Sequence, residues 1–186
     1  MPALCCCTFA QNFSGLFRRR QIKSGESITL LGPGEGDIVN FFGSRFVFKV
    51  RSHQTGRAFS LFETDLPPRS GPPKMHTHPT AETFRVLSGK FEFHILRDGK
   101  VVQLPAGPGA VVHLPGGEPH LFCNVGDGVG RLEVVLSPGD MEGCFLTLGR
   151  RVDAAFEVVT SAPPPDVKQL LAAGRQYGVE FSDPAL

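Results

Sequence analysis

Three histidines and one glutamate, His76, His78, Glu82 and His120, are of the types and spacing that hold a metal ion. His76 and His78 stand two apart, and on an extended strand such residues point to the same face. Glu82 shares their parity, although Pro79 falls between and can perturb a strand. His120 lies far along the chain, just past a Pro-Gly-Gly turn at 115–117. Three imidazoles and one carboxylate suit one divalent transition metal: Fe, Mn, Ni, Co, Cu or Zn. Four protein ligands leave one or two positions open on an octahedral ion, where chemistry can take place.

The elements that must position these groups read as strands. Residues 82–87 form one, ended by a turn at Ser88-Gly89. Phe91, Phe93 and Ile95 alternate with Glu92, His94 and Leu96, the period of a strand with one buried face. Asp98-Gly99 is a dipeptide favoured in two-residue hairpins, and 101–104 returns as the partner strand. Residues 110–114, 120–125 and 132–136 follow as further strands, separated by turns rich in Gly and Pro. Upstream, 46–50 and 59–63 read as strands within a glycine-broken apolar region. Short strands at such regular spacing predict an all-β sandwich or barrel.

Composition agrees and excludes some partners. The 22 glycines and 16 prolines among 186 residues suit tight turns better than long helices. Lys+Arg is 19 and Asp+Glu is 18, a formal net charge of +1, so no global charge draws this chain to nucleic acid or an anionic membrane. No segment approaches the roughly 18 apolar residues that span a bilayer. The N-terminus lacks the pattern of a secretory signal. Cys5, Cys6 and Cys7 are adjacent and cannot pair with one another in ordinary geometry, while Cys123 and Cys144 sit in apolar stretches. A reducing, cytoplasmic setting is expected. Residues 1–25, with Arg18, Arg19, Arg20 and Lys23, read as a flexible basic tail; 26–160 as the barrel domain; 161–186 as a Pro-rich linker and a helix that Asp166 can cap.

Two stretches carry a family resemblance. The run from Gly71 through His76, His78 and Glu82 to Gly89 resembles the first motif of the cupins, and Gly109 through Pro115, Gly117 and His120 to Asn124 resembles their second. Gly71 stands one residue closer to His76 than the family pattern prefers, in the loop before the ligands. The resemblance implies a cupin jelly-roll β-barrel (a double-stranded β-helix) with a short C-terminal helix and a metal near its axis. It carries over His76, His78, Glu82 and His120 as ligands, Gly89 and Gly117 as turn residues, and Asn124 as a structural residue. The chain looks most like single-domain bacterial cupins of the quercetin-dioxygenase type.

That likeness implies an oxygenase acting on a small organic molecule, with Glu82 as the catalytic base. A non-redox isomerase or lyase, and a small-molecule-binding cupin without catalysis, are the alternatives, because a fold does not fix a function. A homodimer is expected by family analogy alone. Phe84 shares parity with Glu82, and Phe122 with His120; their rings read as core packing, or as an apolar substrate pocket beside the metal. His53 and His94 read as surface residues, and His113 as a structural histidine.

Overall fold

The computed structural model describes residues 28–153, residue 158 and residues 167–182. The Cys5–Cys7 run, the basic arm, the Pro163–Pro165 linker and the Asp166 cap lie outside the described residues. The chain divides into two units. In the first, residues 1–32, only 28–32 are described, and Ile28 and Leu30 are exposed there. The second, residues 33–186, holds every strand and helix named below.

In chain order these are β1 (Asp37–Phe41), β2 (Ser44–Val50), β3 (Ser60–Leu66), β4 (His76–Thr77), β5 (Ala81–Ser88), β6 (Phe91–Arg97), β7 (Lys100–Ala106), β8 (Val111–Leu114), β9 (His120–Asn124) and β10 (Gly130–Ser137), then α1 (Glu142–Leu148), β11 (Arg150–Arg151), α2 (Val167–Gln176) and β12 (Glu180–Phe181). The strands form two sheets, ordered β11-β1-β2-β3-β10-β5-β8 and β12-β4-β9-β6-β7. The pairings are antiparallel throughout. This is the all-β jelly roll expected from the sequence, with α2 as its short C-terminal helix.

Period-2 patterning explains which face each strand buries. On β5 the buried positions are Glu82, Phe84 and Val86; on β6, Phe91, Phe93 and Ile95; on β10, Leu132, Val134 and Leu136. With Phe46, Phe48 and Phe62 from β2 and β3, these side chains fill the core. The Asp98-Gly99 turn has φ of 52° and 70°, the two left-handed residues of a type I′ hairpin, and sets Arg97 opposite Lys100. The β1–β2 turn uses the same geometry at Phe42 and Gly43, steadied by the Gly43 N–H donating to Asn40 Oδ1 at 2.9 Å.

Three features depart from the expectations. Helix α1 was not anticipated; it follows Pro138 and has no side-chain N-cap, so it carries no start signal, and its Phe145 and Leu146 pack onto the core. Strands β4, β11 and β12 are two residues each, too short for any period to register. His94, expected at the surface, has a side chain only 12% exposed, its Nε2 2.6 Å from Glu92 Oε1.

Candidate metal centre

The strand registers place His76, His120 and Glu82 from both sheets, and His78 follows directly after β4. In the five-stranded sheet Val102, Ile95, His120, His76 and Phe181 lie side by side across β7, β6, β9, β4 and β12. Residues in such a row project to one face. In the seven-stranded sheet Leu114, Glu82, Leu136 and Ser60 form a corresponding row across β8, β5, β10 and β3. The row with the histidines faces the row with the glutamate: Glu82 Oε2 lies 3.2 Å from His120 Nε2 and 3.8 Å from His78 Nε2.

The donor atoms of His76, His78 and His120 all lie within 4.8 Å of one another. Adjacent donors bound at about 2.1 Å around one ion sit about 3.0–3.6 Å apart, so these three would draw inward to share a cation. His78, Glu82 and His120 are buried, and His76 is partly so. Both ring nitrogens of His78 are buried without a hydrogen-bond partner, and Nε2 of His120 has the Glu82 carboxylate beside it at 3.2 Å, an arrangement that an ion between these groups would complete. Nδ1 of His120 lies 2.7 Å from the Glu118 carbonyl, and Nδ1 of His76 lies 3.2 Å from that of Lys74. A ring that donates through Nδ1 presents the Nε2 lone pair, the tautomer a metal requires. These residues fit a divalent metal.

The electrostatics run the same way. Burial, joined by the neighbouring His120, pushes the His76 imidazole down to about 4, so it is neutral and able to ligate at neutral pH. Burial also lowers His78. His120 is lowered by burial too, but the adjacent Glu82 carboxylate outweighs that and holds it above its ordinary value. Burial would raise Glu82, yet His120, His78 and His76 together hold its carboxyl below the usual range. The apolar neighbours Ile95, Leu114 and Leu136 supply the desolvation.

Glycines bring the two motifs into contact. A Cβ on Gly116 would stand 2.0 Å from the Pro79 carbonyl oxygen, and the Gly117 N–H donates to the His78 carbonyl at 2.7 Å. The loop before His120 therefore rests directly on the backbone after His78. Gly117 and Gly89 have φ of 84° and 93°, which fits their expected turn roles. Gly71 also sits against backbone, where a Cβ would meet the Phe122 carbonyl oxygen at 2.0 Å. Asn124 is fully buried; its amide donates to the carbonyls of Leu66, Pro67 and Gly128 and its oxygen accepts from Gly126 N–H.

The two phenylalanines pack one row away from the ligands. Phe84 and Phe122 have ring centroids 5.1 Å apart, and Phe93 lies 5.1 Å from the first and 5.7 Å from the second. Phe84 is enclosed in the core, whereas Phe122 keeps exposed surface. His113 is not in the site: it is exposed, on the opposite face of its sheet, with Nδ1 2.8 Å from Thr83 Oγ1. Sequence patterning gave no sign of Phe181, whose ring centroid stands 5.8 Å from that of His76.

Among the described residues no helix is long and apolar enough to cross a membrane. No curated protein matches the chain. The Cupin domain of Schizosaccharomyces pombe Cnp3 superposes with a TM-score of 0.51 at 15% identity, covering 67% of this chain and 85% of that one. An oxalate oxidase solved with the substrate analogue glycolate gives 0.46 at 22% identity, covering 54% of each chain, so this chain matches about half of that protein's length. A predicted oxalate decarboxylase from Thermotoga maritima gives 0.44 at 24% identity, covering 50% of this chain and 79% of that one. Residues 62–137, from within β3 to the end of β10, are similar to the family model described as Cupin domain, and His76, His78, Glu82 and His120 all fall inside that matched stretch.

Proposed function

We propose that this chain is a metal-dependent enzyme, an oxygenase acting on a small aromatic or enol-containing molecule, in the manner of the quercetin dioxygenases. The observation that carries the reading is the donor set: three imidazoles within 4.8 Å of one another and a buried carboxylate 3.2 Å from one of them. Structural metal sites are closed and often use thiolates, whereas imidazole–carboxylate sets are common where a position stays open for substrate. A divalent transition metal held by His76, His78, His120 and Glu82 would supply Lewis-acid activation of a substrate hydroxyl and, if redox-active, an electron path to dioxygen.

The protein's own residues supply the rest. Glu82, held ionised by the imidazoles around it, accepts the proton that the substrate hydroxyl gives up. Ile95, Leu114 and Leu136, buried in register beside His120 and Glu82, make the strand neighbours of these two residues apolar. The partly exposed face of Phe122 offers an apolar surface for a flat ring. The test is oxygen uptake by Fe-, Ni- and Mn-loaded protein across a panel of enols and flavonols. Uptake that depends on metal and on one class of substrate is expected. Turnover that proceeds without oxygen would overturn the oxygenase reading.

A further inference from the structure

We propose that Phe181 is a positioning residue for His76, and that the C-terminal segment 167–182 is a clamp that slows the loss of the metal. This rests on the reading of His76 as a ligand.

Strand β4, which carries His76, is two residues long. On one side it pairs with β9, setting His76 opposite His120. Without β12 its other side would be a sheet edge. The C-terminal segment closes that edge: Phe181 lies opposite His76, Glu180 opposite Thr77, and the Ser182 N–H donates to the Met75 carbonyl at 2.9 Å. Two residues cannot hold their own register, so the backbone under His76 takes its position from the strands on either side.

The side chains repeat this arrangement. The His76 ring lies between two in-register neighbours, with the His120 centroid at 4.5 Å and the Phe181 centroid at 5.8 Å. The Lys74 carbonyl fixes the ring at Nδ1, and Phe181 bounds it on the side away from His120. Phe181 is itself held. Leu170, Ala173 and Val179 are buried, and Tyr177 OH lies 3.2 Å from Thr147 Oγ1 of α1. Gly174 lets α2 approach so closely that a Cβ there would stand 3.3 Å from Phe181 Cε2. Gly178, with φ of 72°, packs beside Pro79, where a Cβ would come within 2.9 Å of its Cδ. The segment thus braces the backbone on both sides of the His76–His78 pair. Removing the Phe181 ring frees the His76 ring to swing away from the other donors and opens it to water.

The experiment uses the full chain, with Co²⁺ as the probe ion. Phe181→Ala should release Co²⁺ to a chelator about 10–100-fold faster than wild type, the range for supports of a metal ligand. Its cobalt absorption spectrum at saturation should match wild type, since no ligand is lost. Phe181→Tyr, which keeps the ring, should restore slow release. In the metal-free protein, diethylpyrocarbonate should modify His76 faster in Phe181→Ala while His78 and His120 keep their wild-type rates. Equal acceleration at all three histidines would mean general loosening and would overturn the positioning role. Wild-type release by Phe181→Ala, in a protein whose wild type binds Co²⁺, overturns the clamp alone. A wild-type chain that takes up no Co²⁺ overturns the metal reading and the clamp together.

Discussion

His120 Nε2 and Glu82 Oε2 meet across 3.2 Å from opposite sheets, one on β9 and the other on β5. Neither has a sequence neighbour that could create this pairing. It exists because β9 and β5 lie in different sheets whose inner faces oppose one another. The pair is an anion beside an imidazole whose protonation that anion favours. A cation arriving there would take the place of a proton.

Removing a ligand should remove the metal. His76→Ala and His120→Ala should each weaken binding by more than the roughly 10–100-fold that changes behind the ligands cost. Elemental analysis after dialysis checks this, with far-UV circular dichroism to confirm the fold. Near-wild-type metal content in both variants would contradict the assignment.

Glu82→Gln keeps the shape of the side chain and an oxygen donor while removing the base. Much of the metal should stay, and oxygen uptake with an active substrate should slow by about 10²–10⁴-fold, the usual contribution of a positioned acid or base. A fully active Glu82→Gln variant would show that the proton goes elsewhere.

The pH dependence of metal affinity follows from His120. Its value is raised in the metal-free chain, so as pH falls it is the first of the three histidines to take a proton. Below that value the ion must displace the proton, and affinity should fall by about tenfold per pH unit. Above it the affinity should be flat. His76, pushed down to about 4, should not compete until much more acid conditions. Glu82→Gln removes the carboxylate that raises His120 and should move the onset to lower pH. Calorimetric titration between pH 8 and 5 gives both curves; affinity that rises as pH falls would contradict this order.

Gly116 and Gly117 are adjacent but should respond differently. Gly117→Ala meets open space, and its φ of 84° makes it a conformational penalty of about 1–2 kcal/mol. Gly116→Ala drives a methyl into the Pro79 carbonyl 2.0 Å away, so the loop must move, at about 1–3 kcal/mol. Because a Cβ at Gly116 alone would press on the backbone that follows His78, Gly116→Ala should weaken metal binding more than Gly117→Ala does. Urea unfolding and a metal titration on both variants separate the two effects.

Much of the site was legible because its signals are local. His76, His78 and Glu82 sit within seven residues, and the alternation through Phe91, Phe93 and Ile95 fixes which face of β6 is buried. Asp98-Gly99 announces its own hairpin. What stayed hidden depends on partners distant in sequence. Phe181 matters through pairing with a two-residue strand, and Glu180–Phe181 has no period to betray it. Gly116 looks like half of an ordinary turn; its role is set by the Pro79 carbonyl, which only the folded chain brings near. His94 lies opposite the core, as alternation expects, yet its side chain is only 12% exposed, with Glu92, two residues back on the same face of β6, 2.6 Å from its Nε2.

The most direct test of the central claim is a crystal structure of the metal-loaded chain with anomalous scattering measured at the absorption edges of the candidate metals. One anomalous peak is predicted, within about 2.0–2.3 Å of a nitrogen of each of His76, His78 and His120 and of an oxygen of Glu82. A peak elsewhere in the molecule, or one bonded to the β4 histidines with His120 turned away, would contradict it.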